Sequence, residues 1–503
     1  MHRIFFLGLV PFTLLFHAGC SEPLHVGDVL PSEPQQVDCS RLWTRQLGDD
    51  TNGAGITHAV DKAGNVLLAG GFRGTLDLGN GPFTSQGEAD VLVVKLASDG
   101  STAWSKRFGD AEDQAAVSVA TDGDGNVIMA GFAHGTVDFG GGALTASESG
   151  EGFLVKLDPA GNHLWSRLLG SGFASSHGAA GTLGVSADAG GGLLISGRVD
   201  GELDLEGMTQ TLADGSSFVA RLDGDGNLLW QKSFGSAEIA AKLNGKGEVA
   251  LSGRFSETFS LGGAGSPLLA DDSTWTNVVA RLDAQGNEAY KLKFGGGADA
   301  ATLVDSVIDE SGNVVIVGAS SETTPFVLGA ALVGANQEFI IKLDPAGLVA
   351  YSHVGNNREY SYGFPHALTT IEDGLGQSSV YVLGEFARFD ASPLSVDTSA
   401  ATNGVPDFAG CAAGEGSSTF VVGLGPQGEL TSCRLFAQSS HGYGVGPDLL
   451  GARTVTDGGE GRLLMSGGFV GNETLDCGAL ESAPLELSDL GRTWPGFVAK
   501  VAR

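Results

Sequence analysis

One pattern returns seven times along this chain and dictates its architecture before any other property is weighed. Its clearest copy spans residues 56–109, where ITHAVD, KAG, NVLLAGGF, RGTLDLGNGPFTSQGEA, DVLVVKLAS, DG and STAWSKRFG follow in order. Four strand-like runs are joined by a tight turn, a longer loop and another tight turn. Repeats of this length mark propellers, solenoids or arrays. An apolar run after a turn recurs at 64–72, 125–132, 191–197, 247–255, 312–318, 378–386 and 461–469. A second run recurs at 90–100, 153–161, 218–226, 278–286, 339–347, 420–428 and 497–503. An aromatic residue leads the third run at Trp43, Trp104, Trp165, Trp230, Tyr290 and Tyr351, and Ser432 takes the remaining place.

With the four strands named a to d, the series opens on a lone d strand (42–48) and ends on a lone c strand. Seven a-b-c sets and seven d strands fit together as a ring. The expected fold is therefore all-β: a seven-bladed β-propeller of four-stranded antiparallel blades, closed when the N-terminal outer strand joins the C-terminal blade. Closure removes the free edges that a linear stack would expose. Strands b and c are apolar on consecutive residues, as in VLLA and LVVKL, so both faces must be buried between neighbouring blades. Strand d is mixed: Trp104 and Phe108 flank Ser105, Lys106 and Arg107, which suits an outer edge guarded by charge. The D-x-x-G-N turns at 61–65, 122–126 and 309–313 supply an Asp that bonds its own backbone and a Gly that accepts positive φ.

These motifs resemble the bacterial SBBP-type β-propeller repeat, in which G-N-x-x-x-x-G-x-F is followed by a Gly-rich segment, F-V-x-K-L-D-x-x-G and an aromatic strand. The resemblance covers 42–503. It implies a propeller of the kind found on secreted or surface lipoproteins, and implies little about activity. Blades 6 and 7 depart from it: Gly423 replaces the usual Lys or Arg, Ser432 replaces the aromatic, and the loops are long. The G-H and W-D signatures of WD40 blades are missing.

A formal net charge of −31 argues against nucleic acid, which calls for a basic face. It also argues against direct attraction to anionic lipid and keeps a secreted protein soluble. Residues 1–19 read as a signal peptide, with His2 and Arg3 before an apolar run at 4–16 that is too short to span a membrane. Ala18 and Gly19 before Cys20 resemble a bacterial lipobox, although His17 stands where an aliphatic residue is usual. The resemblance implies lipidation of Cys20, a cell-envelope location, and, with Ser21 rather than Asp following, the outer membrane or cell surface. Residues 20–38 then form the lipidated end and a polar tether with three prolines, and 39–503 form the propeller.

Four further cysteines in an exported chain suggest two disulfides, with three possible pairings. Cys39 and Cys477 both fall in blade 7, and Cys411 and Cys433 both fall in blade 6, so Cys39–Cys477 and Cys411–Cys433 are the expected pairs. The first would lock the seam of the ring.

The a–b and c–d turns are short and regular; the b–c and d–a loops are irregular and are expected to share the face around the channel mouth. Variable loops on a rigid frame are where binding usually resides. The segments 356–366 and 439–443 carry Arg358, Tyr360, Tyr362, Phe364, His366, His441 and Tyr443, the side-chain types that recognise a protein or a glycan. Packing of those aromatics onto the ring is the alternative. Other d–a loops lean acidic: Asp49, Asp110, Asp113, Glu238 and Asp299 are weak candidates for Ca²⁺, with solvated loop charge as the plainer reading. The D-G-D-G-N pieces at 122–126 and 223–227 lack EF-hand order and are read as turns. His58, His177, His366 and His441 come from separate blades, and nothing in the sequence joins them into a metal site. No H-E-x-x-H, G-x-S-x-G or P-loop pattern occurs, so no cofactor is expected. The leading expectation is a monomeric, lipid-anchored interaction module for a protein or polysaccharide. A propeller hydrolase or lyase acting on glycans or peptides at the channel mouth is the second reading, and a structural envelope component is the third.

Overall fold

The computed structural model describes residues 43–46, 56–171 and most of 173–388; beyond these it describes strands and turns at 396–397, 416–439, 452–458, 462–468, 473–475, 485–487 and 496–502. The signal peptide, tether, Cys20, Cys39, Asp49, His177, Asp299, Arg358, Tyr360, Cys411, His441, Tyr443 and Cys477 lie outside the described residues.

Seven antiparallel sheets follow one another along the chain, and the protein is a β-propeller. Blade 1 holds Thr57–Val60, Val66–Phe72, Asp90–Leu96 and Thr102–Phe108 in the order a-b-c-d. Blades 2 to 6 repeat that order, opening on Gln114–Thr121, Leu183–Ala187, Ala237–Leu243, Thr302–Ile308 and Ser361–Glu372. Blade 7 takes Ala452–Asp457, Arg462–Gly468 and Gly496–Ala502 from the far end of the chain and its d strand, Trp43–Gln46, from the near end. Trp43 pairs with Lys500 and Gln46 with Phe497.

The core lies between blades, as the doubly apolar strands demand. Leu67, Ala69, Val91 and Val93 of blade 1 share one cluster with Val127, Met129, Phe153 and Val155 of blade 2. Equivalent clusters join blades 2 and 3, 3 and 4, 4 and 5, and 5 and 6. Leu464 of blade 7 lies in the same cluster as Val66, Leu68, Leu92 and Val94 of blade 1. Trp43–Gln46 thus pairs with the last strand of the chain, and blade 7 packs on blade 1 through Leu464. Near the axis, hydroxyls and a carboxylate tie neighbouring blades at three boundaries. The Ser118 hydroxyl accepts from the Val185 amide (3.0 Å), the Thr121 hydroxyl donates to the Val60 carbonyl (3.0 Å), and Asp305 accepts from the Leu368 amide (3.1 Å).

Two features differ from the sequence reading. The b–c segment is no plain loop: in blades 1 to 5 and 7 it forms a further two-stranded hairpin, such as Thr136–Asp138 with Ala143–Thr145. Its alternating apolar residues turn inward, and Phe139 sits between Phe108 of blade 1 and Phe153 of its own blade. These hairpins pack against d strands on the outer wall, so the b–c segments do not crowd the channel mouth. Asp77 and Asp138 fix the hairpin ends by accepting from the amides of Gly79 (2.8 Å) and Gly140 (2.7 Å). In blade 6, strands b and c extend to Arg388 and back from Gly416, and Val396–Asp397 of the long segment between them pairs with Val354–Gly355 as a fifth strand of blade 5.

Candidate functional site

The two ends of the propeller are built to different rules. On one end the c–d turns are all five residues long (97–101, 158–162, 223–227, 283–287, 344–348 and 425–429), and the a–b turns of blades 1 to 6 are also five (61–65, 122–126, 188–192, 244–248, 309–313 and 373–377). On the other end the d–a segments range from the two residues Gly235 and Ser236 to the twelve of 440–451.

The turn end is committed to holding its own turns and neighbouring blades together. In blade 2, Asp122 accepts from the Asp124 amide (3.0 Å), the Asn126 amide (3.0 Å) and the Asn126 side chain (2.8 Å). Lys156 of strand c completes the set at 2.9 Å, with both partners nearly inaccessible. Burial raises the cost of that carboxylate charge. The bonds from Asn126 and Lys156 outweigh it and hold the Asp122 carboxyl below its ordinary value. Blade 1 repeats the arrangement with Asp61 and Lys95 (2.9 Å), and blade 5 with Asp309 and Lys342 (3.3 Å). In blade 3, Gly192 replaces the Asn, and the Arg221 guanidinium fills the space and pairs with Asp188. In blade 4 the carboxylate moves to the end of the turn: Asn244 takes the first place, and Arg281 meets Glu248 at 2.6 Å.

The same turns latch neighbouring blades. The indole of Trp104 donates to the Pro159 carbonyl in the next blade (3.1 Å), Trp165 to Gly224 (3.2 Å) and Trp230 to Ala284 (3.1 Å). Each ring covers a turn glycine. A Cβ on Gly286 would meet the Trp230 ring at 2.9 Å, one on Gly347 the Tyr290 ring at 2.9 Å, and one on Gly428 the Tyr351 ring at 2.8 Å. These glycines also hold φ of +79°, +83° and +87°, so they are fixed both by backbone and by close approach.

At the loop end, the expected site residues are only partly brought together. Tyr362, Phe364 and His366 belong to strand Ser361–Glu372 rather than to a loop, which corrects their placement. Cys433 lies in strand Leu430–Ser439. Asp110 serves its own loop: it accepts from the Glu112 amide (2.9 Å), the Gln114 side chain (2.7 Å) and the Thr136 amide (2.7 Å). Desolvation works against its charge, and those donors still hold its carboxyl below the ordinary value. Asp113 faces Arg73 at 3.4 Å, and Glu238, which lies in strand Ala237–Leu243 rather than in a loop, pairs with Arg254 at 2.7 Å and Arg198 at 3.6 Å. Among the described residues, no group of three His, Cys, Asp or Glu side chains is arranged to hold a metal ion. The D-G-D-G-N carboxylates of Asp122 and Asp223 bond their own turns, Asp223 through the Asn227 amide at 2.8 Å and side chain at 2.7 Å.

His58 sits inside blade 1 at 6% exposure, and burial lowers its pKa to about 4. A histidine with an ordinary value near 6.5 when unfolded takes up its proton first in the unfolded chain. Its contribution is thus complete above pH 6.5 and is lost as pH falls towards 4, by an amount on the order of 3 kcal/mol. In His58→Gln, urea midpoints between pH 6.5 and 4 are expected to fall less steeply than in the parent.

No family model matches. A stretch of 129 residues is 26% identical to an uncharacterized WD repeat-containing protein of Acanthamoeba polyphaga mimivirus, covering 22% of this chain and 9% of that protein. A protein of unknown function from Dyadobacter fermentans shares 11% identity over 92% of this chain and 96% of its own, with a TM-score of 0.35. A Synechocystis apocarotenoid oxygenase mutant shares 12% identity over 76% of this chain and 74% of its own, also at 0.35. Prolyl oligopeptidase B from Galerina marginata shares 8% identity over 72% of this chain and 45% of its own, at 0.32. At these scores the solved structures carry no argument, and the β-propeller assignment stands on the repeated four-stranded sheets themselves.

Proposed function

We propose that this protein is a lipid-anchored β-propeller of the cell envelope that binds a protein or polysaccharide through its d–a loop end, near blades 6 and 7. One observation carries the reading: turns in blades 1 to 6 are all five residues at one end, where side chains are spent on latches, while d–a lengths vary from two residues to twelve at the other. Variable segments on a rigid frame are the usual seat of recognition. The aromatic and cationic residues Arg358, Tyr360, His441 and Tyr443 supply the contact chemistry. Cys20 supplies the anchor, and the SBBP-type repeat resemblance agrees with a surface lipoprotein.

The test has two independent arms. Cells expressing the full chain are expected to incorporate labelled palmitate, and Cys20→Ser is expected to abolish the label and release the protein from membranes. Against panels of immobilised polysaccharides and peptides, Tyr360→Ala combined with Tyr443→Ala is expected to weaken capture at least tenfold, about 1.4 kcal/mol. Gln285→Ala with Gln427→Ala, on exposed turns at the opposite end, is expected to leave capture unchanged. Equal capture by both pairs would remove the loop end from consideration.

A further inference from the structure

The latch between blades follows a fixed register. In blades 1 to 5 the residue of strand d that covers the next turn lies opposite a cation of strand c: Lys95 with Trp104, Lys156 with Trp165, Arg221 with Trp230, Arg281 with Tyr290 and Lys342 with Tyr351. In blade 7 the same register pairs Lys500 with Trp43. In blade 6 it pairs Gly423 with Ser432, so the cation and the aromatic are missing together.

The topology supplies a common cause. Both side chains act on the c–d turn of the following blade: Trp104 and Lys95 each donate to Pro159, and Trp165 and Lys156 each donate to Gly224. Blade 7 takes its d strand from Trp43–Gln46, which precedes its c strand by some 450 residues of sequence. Its c and d strands are therefore not joined by a turn, and blade 6 meets no c–d turn in the next blade. In blade 6 the space beside Gly423 is taken instead by the Tyr381 ring and the Ser432 hydroxyl, 2.9 Å and 2.5 Å from where its Cβ would stand. Blade 1, by contrast, offers blade 7 a complete turn at 97–101, with Gly100 at φ +84° and its amide donating to the Ala97 carbonyl at 2.8 Å.

We infer that Trp43 latches the N-terminal strand onto the Gly100 turn of blade 1, and that the boundary between blades 6 and 7 is built without a latch. The seam that joins the two ends of the chain is thus reinforced by the same device as the interior boundaries. The unlatched boundary lies one blade away, where the chain is continuous.

The inference is tested in the full chain by a double-mutant cycle and one gain-of-residue control. Trp43→Ala and Gly100→Ala are each expected to destabilise. The Gly100→Ala effect is expected to be about tenfold smaller in the unfolding equilibrium when Trp43 is already Ala, because contacting residues couple and the added methyl no longer meets a ring. Trp43→Phe, which keeps a ring, is expected to restore part of that coupling should Trp43→Ala not fold. Ser432→Trp is expected to give no gain, whereas Trp165→Ser is expected to lose stability. Strict additivity of Trp43 and Gly100 would overturn the latch at the seam. A Ser432→Trp variant more stable than the parent would overturn the unlatched boundary.

Discussion

Removal of residues 43–46 is expected to leave a chain that unfolds at markedly lower urea concentration, with a broader transition than the parent. The strand supplies the fourth member of blade 7, pairing from Trp43–Lys500 to Gln46–Phe497. Without it, Gly496–Ala502 becomes an unpaired edge carrying Phe497 and Val498. Such an edge is a template for association between chains. The loss also loosens blade 7, whose Leu464 is fully buried among Val66, Leu68 and Leu92 of blade 1. Against a total stability of about 5–15 kcal/mol for a native domain, the loss is expected to take a large share. Denaturation followed by circular dichroism, with light scattering to detect association, checks it. Moving the strand to the other end of the chain, after 502 and through a five-residue D-P-A-G-N turn, is expected to restore the parent midpoint. A truncated chain as stable and as monomeric as the parent would mean that the seventh sheet does not depend on this strand.

Replacement of Lys156 by Met carries the second large effect. The ammonium and the Asp122 carboxylate stand 2.9 Å apart at 7% and 1% side-chain exposure. The pair itself adds modestly to stability, since desolvation of both charges offsets most of their attraction. Breaking it is another matter: Asp122 then remains buried with turn amides and Asn126 but no countercharge, at a cost of about 3–5 kcal/mol. The lost donation from Lys156 to the Gly224 carbonyl (3.0 Å) also weakens the contact with blade 3. The deficit is expected to shrink as pH falls below about 4, because protonation of Asp122 removes the unpaired charge. In the parent the sign is opposite: a carboxyl held below its ordinary value contributes above that range and loses its contribution as acid is added. Urea titrations of parent and Lys156→Met should therefore lie far apart at pH 7 and draw together as the pH is taken below the ordinary carboxyl range; a constant gap would show that the buried carboxylate is not the source of the loss.

Much of the fold was legible because period and chemistry agreed. The run VLLAGGF is buried at every position, as its consecutive apolar residues require. The D-x-x-G-N turns take the hydrogen bonds that their residue types imply. The lysine in LVVKL was harder to interpret: a charge inside an apolar strand has no period to announce its partner, and the partner is an Asp some 34 residues earlier, in the turn of the same blade. The outer hairpins were missed for a related reason. T-V-D-F and A-L-T alternate over too few residues to stand out as strands, yet Val137 and Phe139 are buried between blades. The departures at Gly423 and Ser432 were visible as departures, but their shared cause emerges only from the register that sets one against the other. The loop-end residues proposed for binding were legible by type alone, since recognition chemistry in irregular segments has no repeat to check it against.

The contrast between invariant turns and elastic d–a segments has a consequence for how this chain can change. Lengthening a loop whose two ends are already held costs little, since closure entropy rises only with the logarithm of length. The ends of each d–a segment are pinned by sheets that keep their own register, whether two residues or twelve lie between them. Each of the seven positions can then be altered without retuning the other six. Substitutions in the five-residue turns reach two blades at once, through an ion pair within one and a latch onto the next. Variation in related chains should therefore accumulate as insertions at one pole, and new binding specificities grafted at Gly235–Ser236 should be carried without loss of the frame.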